Sequence, residues 1–244
     1  MLNQKELERY SRQIMINGFG EKGQDKLKKA KVFIAGVGGL GSVNATYLVA
    51  AGVGVIRIVD QDVVELSNLN RQILHHDDDI GKNKVDSAAK RLNGLNPEVK
   101  IEAIAGKITE ANISKLVAGC DLIVDAMDNL PIRYLLNKTA IEEKLPFFHG
   151  AVNGFEGRAM TIIPGQTACL MCVYRGAVVE GSFPVVGVTP GVIGCIQAAE
   201  VIKHIVGTGQ LLANRLLIYD GLSMKFTQFK VKRDPNCQHC GSEG

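Results

Sequence analysis

KVFIAGVGGLGSVNATYLVAAGVGVIRIVD, residues 31–60, joins a short apolar run, a glycine-rich turn, a helix-compatible segment and a second apolar run that ends in an acid. This order is typical of a buried parallel strand that turns into a helix and returns as a second strand. Gly36 and Gly38 permit a tight turn and a close approach of backbone N–H groups to a phosphate, while Gly41 lets the helix pack against the strand. The helix N-terminus adds a partial positive charge. The stretch therefore predicts a nucleotide site in this glycine turn, which also contains Gly39.

The acid that ends this stretch belongs to the same prediction. Asp60 follows Gly41 near the ~20-residue spacing of the carboxylate that binds a ribose hydroxyl in dinucleotide folds. The same fingerprint serves proteins that bind NAD, FAD or ATP. It therefore predicts a nucleotide without choosing which one.

The composition is that of an ordinary globular protein. Of 244 residues, 46% are hydrophobic and 22% are charged, which fits one large α/β domain. The formal charge of +3 and the lack of long like-charge runs argue against a nucleic-acid or membrane-surface role driven by electrostatics. No apolar run is long enough to span a bilayer, and the polar residues 1–10 do not resemble an export signal. We expect a cytoplasmic protein without nucleic-acid or membrane partners.

Four of the six cysteines form two CxxC pairs: Cys169 with Cys172, and Cys237 with Cys240. Without an export signal, such pairs are more typical of metal ligands than of disulfides. Two pairs with this spacing supply the four thiolates of a closed tetrahedral zinc site, and a redox CxxC is the alternative. We predict a structural zinc knuckle that ties the end of the chain to its middle. The other two cysteines lie in apolar segments and are predicted to be buried thiols: Cys120 and Cys195.

Hydrophobic periodicity gives the order of the elements. Helices are predicted at 21–29, 42–51, 84–95, 112–117 and 192–206, and strands at 31–37, 53–59, 99–103, 120–126, 146–151, 158–163, 215–219 and 225–232. A capping box between Asn3 and Glu6 opens a further N-terminal helix. Strands and helices alternate in the first half, whereas the second half contains hairpins. We predict an α/β protein with a Rossmann-like doubly wound sheet, parallel in its first half and antiparallel in its second.

Two patterns predict which side chains meet solvent. The helix at 192–206 carries one apolar stripe, which is typical of the face that packs on a core. The stripe comprises Val192, Cys195, Ile196, Ala199, Ile202 and Ile205. The segment 75–79, with two histidines and three aspartates, is predicted to be a solvated loop rather than a metal site.

Cations and a second acid follow the strands of the nucleotide half. Arg71, Lys84 and Asn68 exceed what a dinucleotide pyrophosphate needs, and they suit the three phosphates of ATP. Asp128 follows the fourth strand, where its oxygens suit a magnesium ion that bridges to phosphates. The alternative role for Asp128 is that of a helix N-cap ahead of Pro131.

Together these residues resemble the ThiF/MoeB/HesA family of ubiquitin-activating-like adenylyltransferases. The resemblance rests on the glycine turn, DQD at 60–62, LSNLNRQ at 66–72, GKNK at 81–84, DAMDN at 125–129 and both CxxC pairs. It covers about residues 10–240. It implies one adenylation domain over 1–244, with N-terminal helices at 1–30, a nucleotide-binding half at 31–135 and a carrier-binding half with the zinc site at 136–244.

The resemblance also implies a reaction and its participants. The expected reaction is adenylation of the C-terminal Gly-Gly carboxylate of a small ubiquitin-like sulfur carrier, with ATP, Mg²⁺ and Zn²⁺ as cofactors and pyrophosphate as product. A sulfurtransferase or cysteine desulfurase is a further expected partner. The implied catalytic residues are Arg12, Arg71, Lys84 and Asp128, with Arg12 reaching across a homodimer. The implied nucleotide contacts are Gly36, Gly38, Gly39, Gly41, Asp60, Asp62, Asn68, Arg71, Gln72, Lys84, Asp128 and Asn129.

One departure from the family bears on how the product leaves. Relatives that bind the carrier covalently place a cysteine on the loop before the helix at 192–206, but residues 180–191 contain none. Cys195 lies inside that helix, where an apolar stripe would keep its thiol protonated and shielded. We therefore expect direct transfer of the acyl-adenylate, with 186–191 as a crossover segment over which the carrier tail passes. An NAD-dependent oxidoreductase and a catalytically silent scaffold are the two alternatives.

Overall fold

The computed structural model describes residues 2–177 and 183–241. Within these ranges the helices are α1 (Gln4–Arg9), α2 (Ser11–Ile14), α3 (Gly20–Lys29), α4 (Gly39–Ala50), α5 (Lys84–Leu95), α6 (Ile113–Val117), α7 (Leu130–Glu142), α8 (Leu170–Tyr174) and α9 (Val188–Val206). The strands are β1 (Lys31–Ala35), β2 (Val55–Asp60), β3 (Lys100–Ala105), β4 (Leu122–Asp125), β5 (Phe147–Asn153), β6 (Glu156–Ile162), β7 (Arg215–Asp220) and β8 (Lys225–Lys230). No helix in the described ranges is long and apolar enough to cross a membrane.

All of these strands form one sheet, in the order β3-β2-β1-β4-β5-β6-β7-β8. The pairs from β3 through to β5 are parallel, and those from β5 through to β8 are antiparallel. The predicted fold class is therefore confirmed. The chain leaves β1 for β2 on one side and later crosses to β4 on the other. The carboxyl end of β1 is thus the switch point, where open α/β sheets bind their ligands.

Helices cover both faces of the parallel part of the sheet. In β1, Val32 and Ile34 belong to the core beneath α3, α4, α5 and α9, whereas Phe33 and Ala35 belong to the core beneath α6, α7 and α8. This alternation follows from the two-residue period of a strand. Because both faces are apolar, polar ligand groups have access only at the ends of the strands.

Short start and stop signals act as predicted. The side chains of Asn3 and Glu6 each accept a hydrogen bond from the other's backbone N–H and so open α1. Gly52 has a φ of 83°, the left-handed conformation that ends α4. Asn129, rather than Asp128, is the N-cap of α7, because its side chain accepts from the backbone N–H of Ile132 at 3.0 Å. The N-cap alternative for Asp128 is therefore wrong.

The helix predicted at 192–206 is longer, and its fully buried face is offset from the predicted stripe, of which Val192, Ile196, Ile202 and Ile205 still pack against the core. α9 begins at Val188, so residues 188–191 form its first turn rather than a crossover loop. Its buried face contains Ile193 and Val201 together with the polar Gln197, whereas the predicted apolar stripe is partly exposed. The prediction that Cys195 is buried is wrong, because this residue is exposed on the outer face.

The segment 75–79 agrees with its prediction only in part. Residues 76–78 are exposed, as predicted for a solvated loop. His75 and Asp79 are only 5% and 2% exposed, because His75 packs beneath the glycine turn and Asp79 is bonded to Ser87. Among the described residues, the cysteine cluster is the group with a metal-ligand arrangement. Cys120 is buried, as predicted.

Candidate active site

The glycine turn lies at the switch point and is held there by Asp60. One carboxylate oxygen of Asp60 accepts the backbone N–H of Val37 at 2.8 Å, and the other accepts that of Asp62 at 2.9 Å. Gly36, with a φ of 88°, donates its N–H to the carbonyl of Val59 at 2.8 Å. The acid expected to bind ribose therefore also fixes the loop. A carboxylate has about four lone-pair sites, so acceptor capacity remains for a ligand hydroxyl.

The glycines differ in what surrounds them. A Cβ on Gly41 would lie 2.0 Å from the carbonyl oxygen of Gly36, and one on Gly36 would lie 2.9 Å from that of Ala126. The glycine turn thus packs directly on the segment that follows β4. At Gly38, by contrast, the nearest atom would be Nε2 of Gln72 at 3.6 Å. The loop is closed on its protein side and open at Gly38, as expected of a loop that receives a ligand.

A cleft of about 390 Å³ lies beside this turn, lined by Gln61, Asp62, Val63, Glu65, Asn68 and Lys84. Lys84 is 5% exposed, and its ammonium group is paired with Asp62 at 2.8 Å. Asn68 is also buried, and its Oδ1 accepts from the N–H of Glu65. A nearly buried cation with one carboxylate partner is a costly arrangement unless the site uses it. The cleft therefore brings together three of the predicted site residues, Asp62, Asn68 and Lys84.

Arg71 and Gln72 follow on the same loop. The guanidinium group of Arg71 donates to the carbonyl of Ser67 at 2.9 Å and to Oδ1 of Asn70 at 3.0 Å. Gln72 is 4% exposed, and its Oε1 has no hydrogen-bond partner. A buried acceptor without a partner is costly, and nucleotides carry hydroxyl and amino donors that would satisfy it. Gln72, beside Gly38, therefore fits a nucleotide.

Asp128 presents an exposed carboxylate at the carboxyl end of β4. Its Oδ1 accepts from Nδ2 of Asn129 at 3.3 Å, while Oδ1 of Asn129 caps α7. Carboxylate oxygens of this kind, open to solvent beside a glycine turn, fit the one or two protein ligands that Mg²⁺ usually takes.

Arg12 lies on α2 and is exposed. Across the ranges that the structure describes, no hydrogen bond or ion pair joins it to the cleft. Its predicted contact with phosphates across a homodimer is not tested by a single chain and stays a prediction.

Two buried polar groups near the site escaped sequence reasoning. His75 lies 3.3 Å from the carbonyl oxygen of Val37 and 2.9 Å from Oγ of Ser87, which in turn donates to Asp79 at 2.9 Å. This chain supports the glycine turn from below. Burial lowers the pKa of His75. The second group, Asp125 with His149, lies behind the turn that carries Asp128. A histidine inside an apolar strand was the available signal for it.

The four CxxC thiols meet in one cluster, with all Sγ atoms within 4.8 Å of one another. Individual separations are 3.9 Å for Cys169 with Cys172, 3.6 Å for Cys169 with Cys237 and 3.5 Å for Cys172 with Cys240. Tetrahedral Zn–S bonds of about 2.3 Å place sulfurs roughly 3.8 Å apart, so the cluster fits zinc. Burial raises the pKa of Cys240 to about 11, and a divalent cation would offset this cost of ionisation.

The fold and site together define a class: a doubly wound α/β protein with a glycine turn at the switch point and a polar cleft that contains a buried lysine. Within that class, the chain belongs to the ThiF family, whose match covers residues 10–239. The resemblance seen in the sequence is thereby confirmed.

Individual relatives match over most of their length. The chain is 43% identical to the SAMP-activating enzyme E1 of Haloferax volcanii, over 100% of this chain and 92% of that protein. It is 40% identical to the sulfur carrier protein adenylyltransferase of Thermus thermophilus, over 98% of this chain and 92% of that protein. Among solved structures, E. coli MccB with ATP is similar with a TM-score of 0.85 and 28% identity, over 98% of this chain and 75% of that one.

Proposed function

We propose that this chain uses ATP and Mg²⁺ to adenylate the C-terminal carboxylate of a small ubiquitin-like sulfur carrier that ends in Gly-Gly. The observation that carries the proposal is the cleft in which the buried Lys84 is paired with Asp62, and Asp60 holds both the backbone of Asp62 and the glycine turn. The chain also matches a sulfur carrier protein adenylyltransferase almost end to end. The predicted adenylyltransferase activity is confirmed by the relatives. An NAD-dependent oxidoreductase would leave this cation and the cysteine cluster without a role.

The reaction needs positioning more than covalent help. A carboxylate oxygen of the carrier attacks the α-phosphorus of ATP, and the bond from that phosphorus to the bridging oxygen breaks as pyrophosphate leaves. The carboxylate is ionised at neutral pH, so no general base is required. The protein must hold two anions in line and compensate their charge.

The proposed nucleotide contacts divide by the chemistry they recognise. Asp60 takes a ribose hydroxyl, and the buried acceptor of Gln72 takes a hydroxyl or amino donor. Arg71 and Lys84 bind phosphate oxygens. Lys84 is paired with Asp62, so a phosphate that binds Lys84 would exchange one anionic partner for another. We propose that this exchange limits the cost of burying the cation.

The magnesium ion would be held by Asp128, and it supplies charge neutralisation at the phosphates. Asn129 donates to one oxygen of that carboxylate and leaves the other open. The exposed Asp128 is thus oriented without being consumed by the fold. In the same proposal, residues 31–135 bind the nucleotide and residues 136–244 bind the carrier.

The carrier tail would reach the nucleotide along the first turn of α9. A Cβ on Gly39 would lie 3.1 Å from Pro190, and one on Gly187 would lie 2.3 Å from the carbonyl oxygen of Asn70. The start of α9 therefore packs on both the glycine turn and the loop that carries Arg71. Residues 178–182, which include part of the cysteine-free segment 180–191, lie outside the described residues.

The cysteine cluster would hold a structural zinc ion. Four thiols leave no open position for a substrate, so the ion contributes to folding rather than to chemistry. It would join α8 to the end of the chain. The sulfur for the activated carrier would come from a separate sulfurtransferase or cysteine desulfurase, and the cytoplasmic location stays a prediction.

A homodimer is part of the proposal, with Arg12 acting in the partner's site. Support comes from the outer side of α4 and α9, where the 53% exposed Tyr47 contacts the exposed Cys195. Mixing Arg12→Ala chains with Asp128→Ala chains distinguishes an Arg12 that acts in the partner's site from one that acts in its own chain. If Arg12 acts across the dimer, each mixed dimer has one intact site and activity returns. If it acts within its own chain, the mixture stays inactive.

ATP–pyrophosphate exchange tests the reaction. Exchange should depend on a carrier with its Gly-Gly end, and removing the two glycines should abolish it. Asp128→Ala should lower the rate roughly 10²- to 10³-fold, as expected for loss of one electrostatic group. The matched control is Asp121→Ala, which removes an exposed carboxylate at the other end of β4. Wild-type exchange in the Asp128 variant, or equal loss in both variants, would refute the magnesium assignment.

A further inference from the structure

His149 is a buried titratable group that the proposed reaction does not use. It lies in β5 with its side chain 0% exposed, and its Nδ1 is 2.7 Å from Oδ2 of Asp125 at the end of β4. On its other side, Nε2 is 3.3 Å from the hydroxyl of Tyr174, the last residue of α8. The two rings meet edge to face at 5.7 Å. One histidine therefore connects two strands and a helix behind the candidate active site.

A neutral imidazole satisfies both of these hydrogen bonds. In this state the hydroxyl of Tyr174 donates to Nε2. Nδ1–H then donates to the carboxylate of Asp125. Complete burial lowers the pKa of His149, which agrees with a neutral ring, although the hydrogen bond to Asp125 acts in the opposite direction. His149 thus serves as a fixed donor to a carboxylate that is itself 0% exposed.

Asp125 in turn holds the turn that follows it. Its Oδ1 accepts the backbone N–H of Met127 at 3.1 Å. Arg133, whose Nε is 3.6 Å from Oδ2 of Asp125, donates from the same Nε to the carbonyl of Met127 at 3.1 Å. The N–H and the C=O of one residue are therefore both held by buried charged groups. The next residue along the chain is Asp128.

We propose that His149 is a positioning residue that fixes the Asp128 turn through Asp125, and that Tyr174 joins this turn to the helix that carries Cys172. The assignment of Asp128 to magnesium rests on the proposed function. Without a donor at Nδ1, the buried Asp125 carboxylate keeps Arg133 as its charged neighbour at 3.6 Å but loses its shortest hydrogen bond. Arg133 would then be drawn from the carbonyl of Met127 toward Asp125, and the turn would loosen.

Two substitutions isolate the hydrogen bond. His149→Asn places an amide N–H near the position of Nδ1 and keeps the donor to Asp125, while His149→Leu removes it. Tyr174→Phe removes only the hydroxyl and preserves the ring contact. The first readout is the hydrogen-exchange rate of the Met127 amide, measured by NMR without nucleotide, metal or carrier. The second is the Mg²⁺ concentration that half-saturates ATP binding in calorimetry.

His149→Leu should speed exchange of the Met127 amide and raise the half-saturating Mg²⁺ concentration, each by about 10-fold or more, because a hydrogen bond to a charged group is lost. His149→Asn should stay within about 3-fold of wild type in both the exchange rate and the half-saturating Mg²⁺ concentration. Tyr174→Phe should lie between His149→Asn and His149→Leu, since a neutral hydrogen bond contributes less than one to a charged group. If His149→Leu does not fold, Tyr174→Phe still has to speed exchange relative to wild type.

Two results would overturn the proposal. One is wild-type amide exchange and Mg²⁺ dependence in His149→Leu at a lowered melting temperature, since this is the outcome of a purely structural role. The other is His149→Asn behaving like His149→Leu, because the donor would then not matter. The amide readout needs no substrate. If the variants show the predicted order of amide exchange rates but the wild-type protein never binds ATP, the proposed function alone would be refuted.

Discussion

Substituting Gly41 by Ala tests whether the glycine turn is built as the structure shows. The added Cβ would lie 2.0 Å from the carbonyl oxygen of Gly36 and 2.8 Å from its carbonyl carbon. Non-bonded heavy atoms normally approach to about 3.5 Å, so roughly 1.5 Å of overlap must be relieved by moving backbone. Overpacking of a tight core costs up to about 3 kcal/mol, and a clash with backbone belongs at that end. For a chain of this length, 3 kcal/mol lowers the melting temperature by about 6–12 °C.

Gly38→Ala is the matched control on the same turn. Gly38 has a φ of −77°, which L residues adopt, and the nearest atom to a new Cβ would be 3.6 Å away, an ordinary contact. The melting temperature should therefore change by no more than about 2–4 °C. The methyl group would instead occupy space that the loop leaves for phosphate. Loss of one charge-assisted hydrogen bond there predicts about 10- to 150-fold weaker ATP binding.

Differential scanning calorimetry and ATP titration calorimetry measure the two effects on the same protein samples. The expected pattern is a crossover, in which Gly41→Ala loses stability and Gly38→Ala loses ATP affinity while remaining folded. A Gly41→Ala protein that melts like wild type would refute the packing of helix on turn. A Gly38→Ala protein with unchanged ATP affinity would show that phosphate does not approach this position.

The remaining predictions concern the metal, one buried acid and one exposed thiol. The purified protein should contain about one zinc ion per chain, and both a strong chelator and Cys172→Ser should lower its melting temperature. Two disulfides without metal would contradict the proposed zinc site. Although burial favours the neutral acid, hydrogen bonds from Ser87 and Lys82 lower the pKa of Asp79 from 3.8 to about 2. The ionised Asp79 therefore contributes its full stabilisation of the fold above pH 3.8, and this contribution is lost as the pH falls through 2. Asp79→Asn should lower the melting temperature at neutral pH, and by progressively less between pH 4 and 2. An equal loss of melting temperature at every pH would contradict this. Incubation with ATP, Mg²⁺ and carrier should give acyl-adenylate, and intact-mass measurement should show no carrier-sized adduct on the enzyme. Cys195→Ser should adenylate the carrier normally. An enzyme adduct that disappears in this variant would make Cys195 a nucleophile.

The parts of the fold set by neighbouring residues were predictable from the sequence. The capping box of Asn3 with Glu6 and the left-handed Gly52 depend on groups within a few residues of each other. The glycine turn with Asp60 spans two strands, but its spacing is fixed by one helix between them. Periodicity likewise located each described strand of the sheet, although most ends differ by one or two residues.

The parts of the site assembled from distant elements were not predictable. Asp125, His149 and Tyr174 come from β4, β5 and α8, and nothing local indicates that three side chains from different elements share hydrogen bonds. The same holds for His75, whose partners Ser87 and the carbonyl of Val37 belong to α5 and the glycine turn. A polar residue in such a place looks solvated in sequence because its buried partners are remote.

The offset between the predicted and the buried face of α9 has a specific cause. Its buried face carries Gln197, which donates to the carbonyls of Asp125 and Phe148 at 2.8 and 3.0 Å and accepts from Asn44 at 2.9 Å. Periodicity counts a polar residue as solvent-facing, so it does not assign Gln197 to the buried face. The predicted stripe borders that face: Val192, Ile196, Ile202 and Ile205 are partly buried against the core, whereas Cys195 is exposed beside Tyr47. The proposed homodimer would cover this exposed edge.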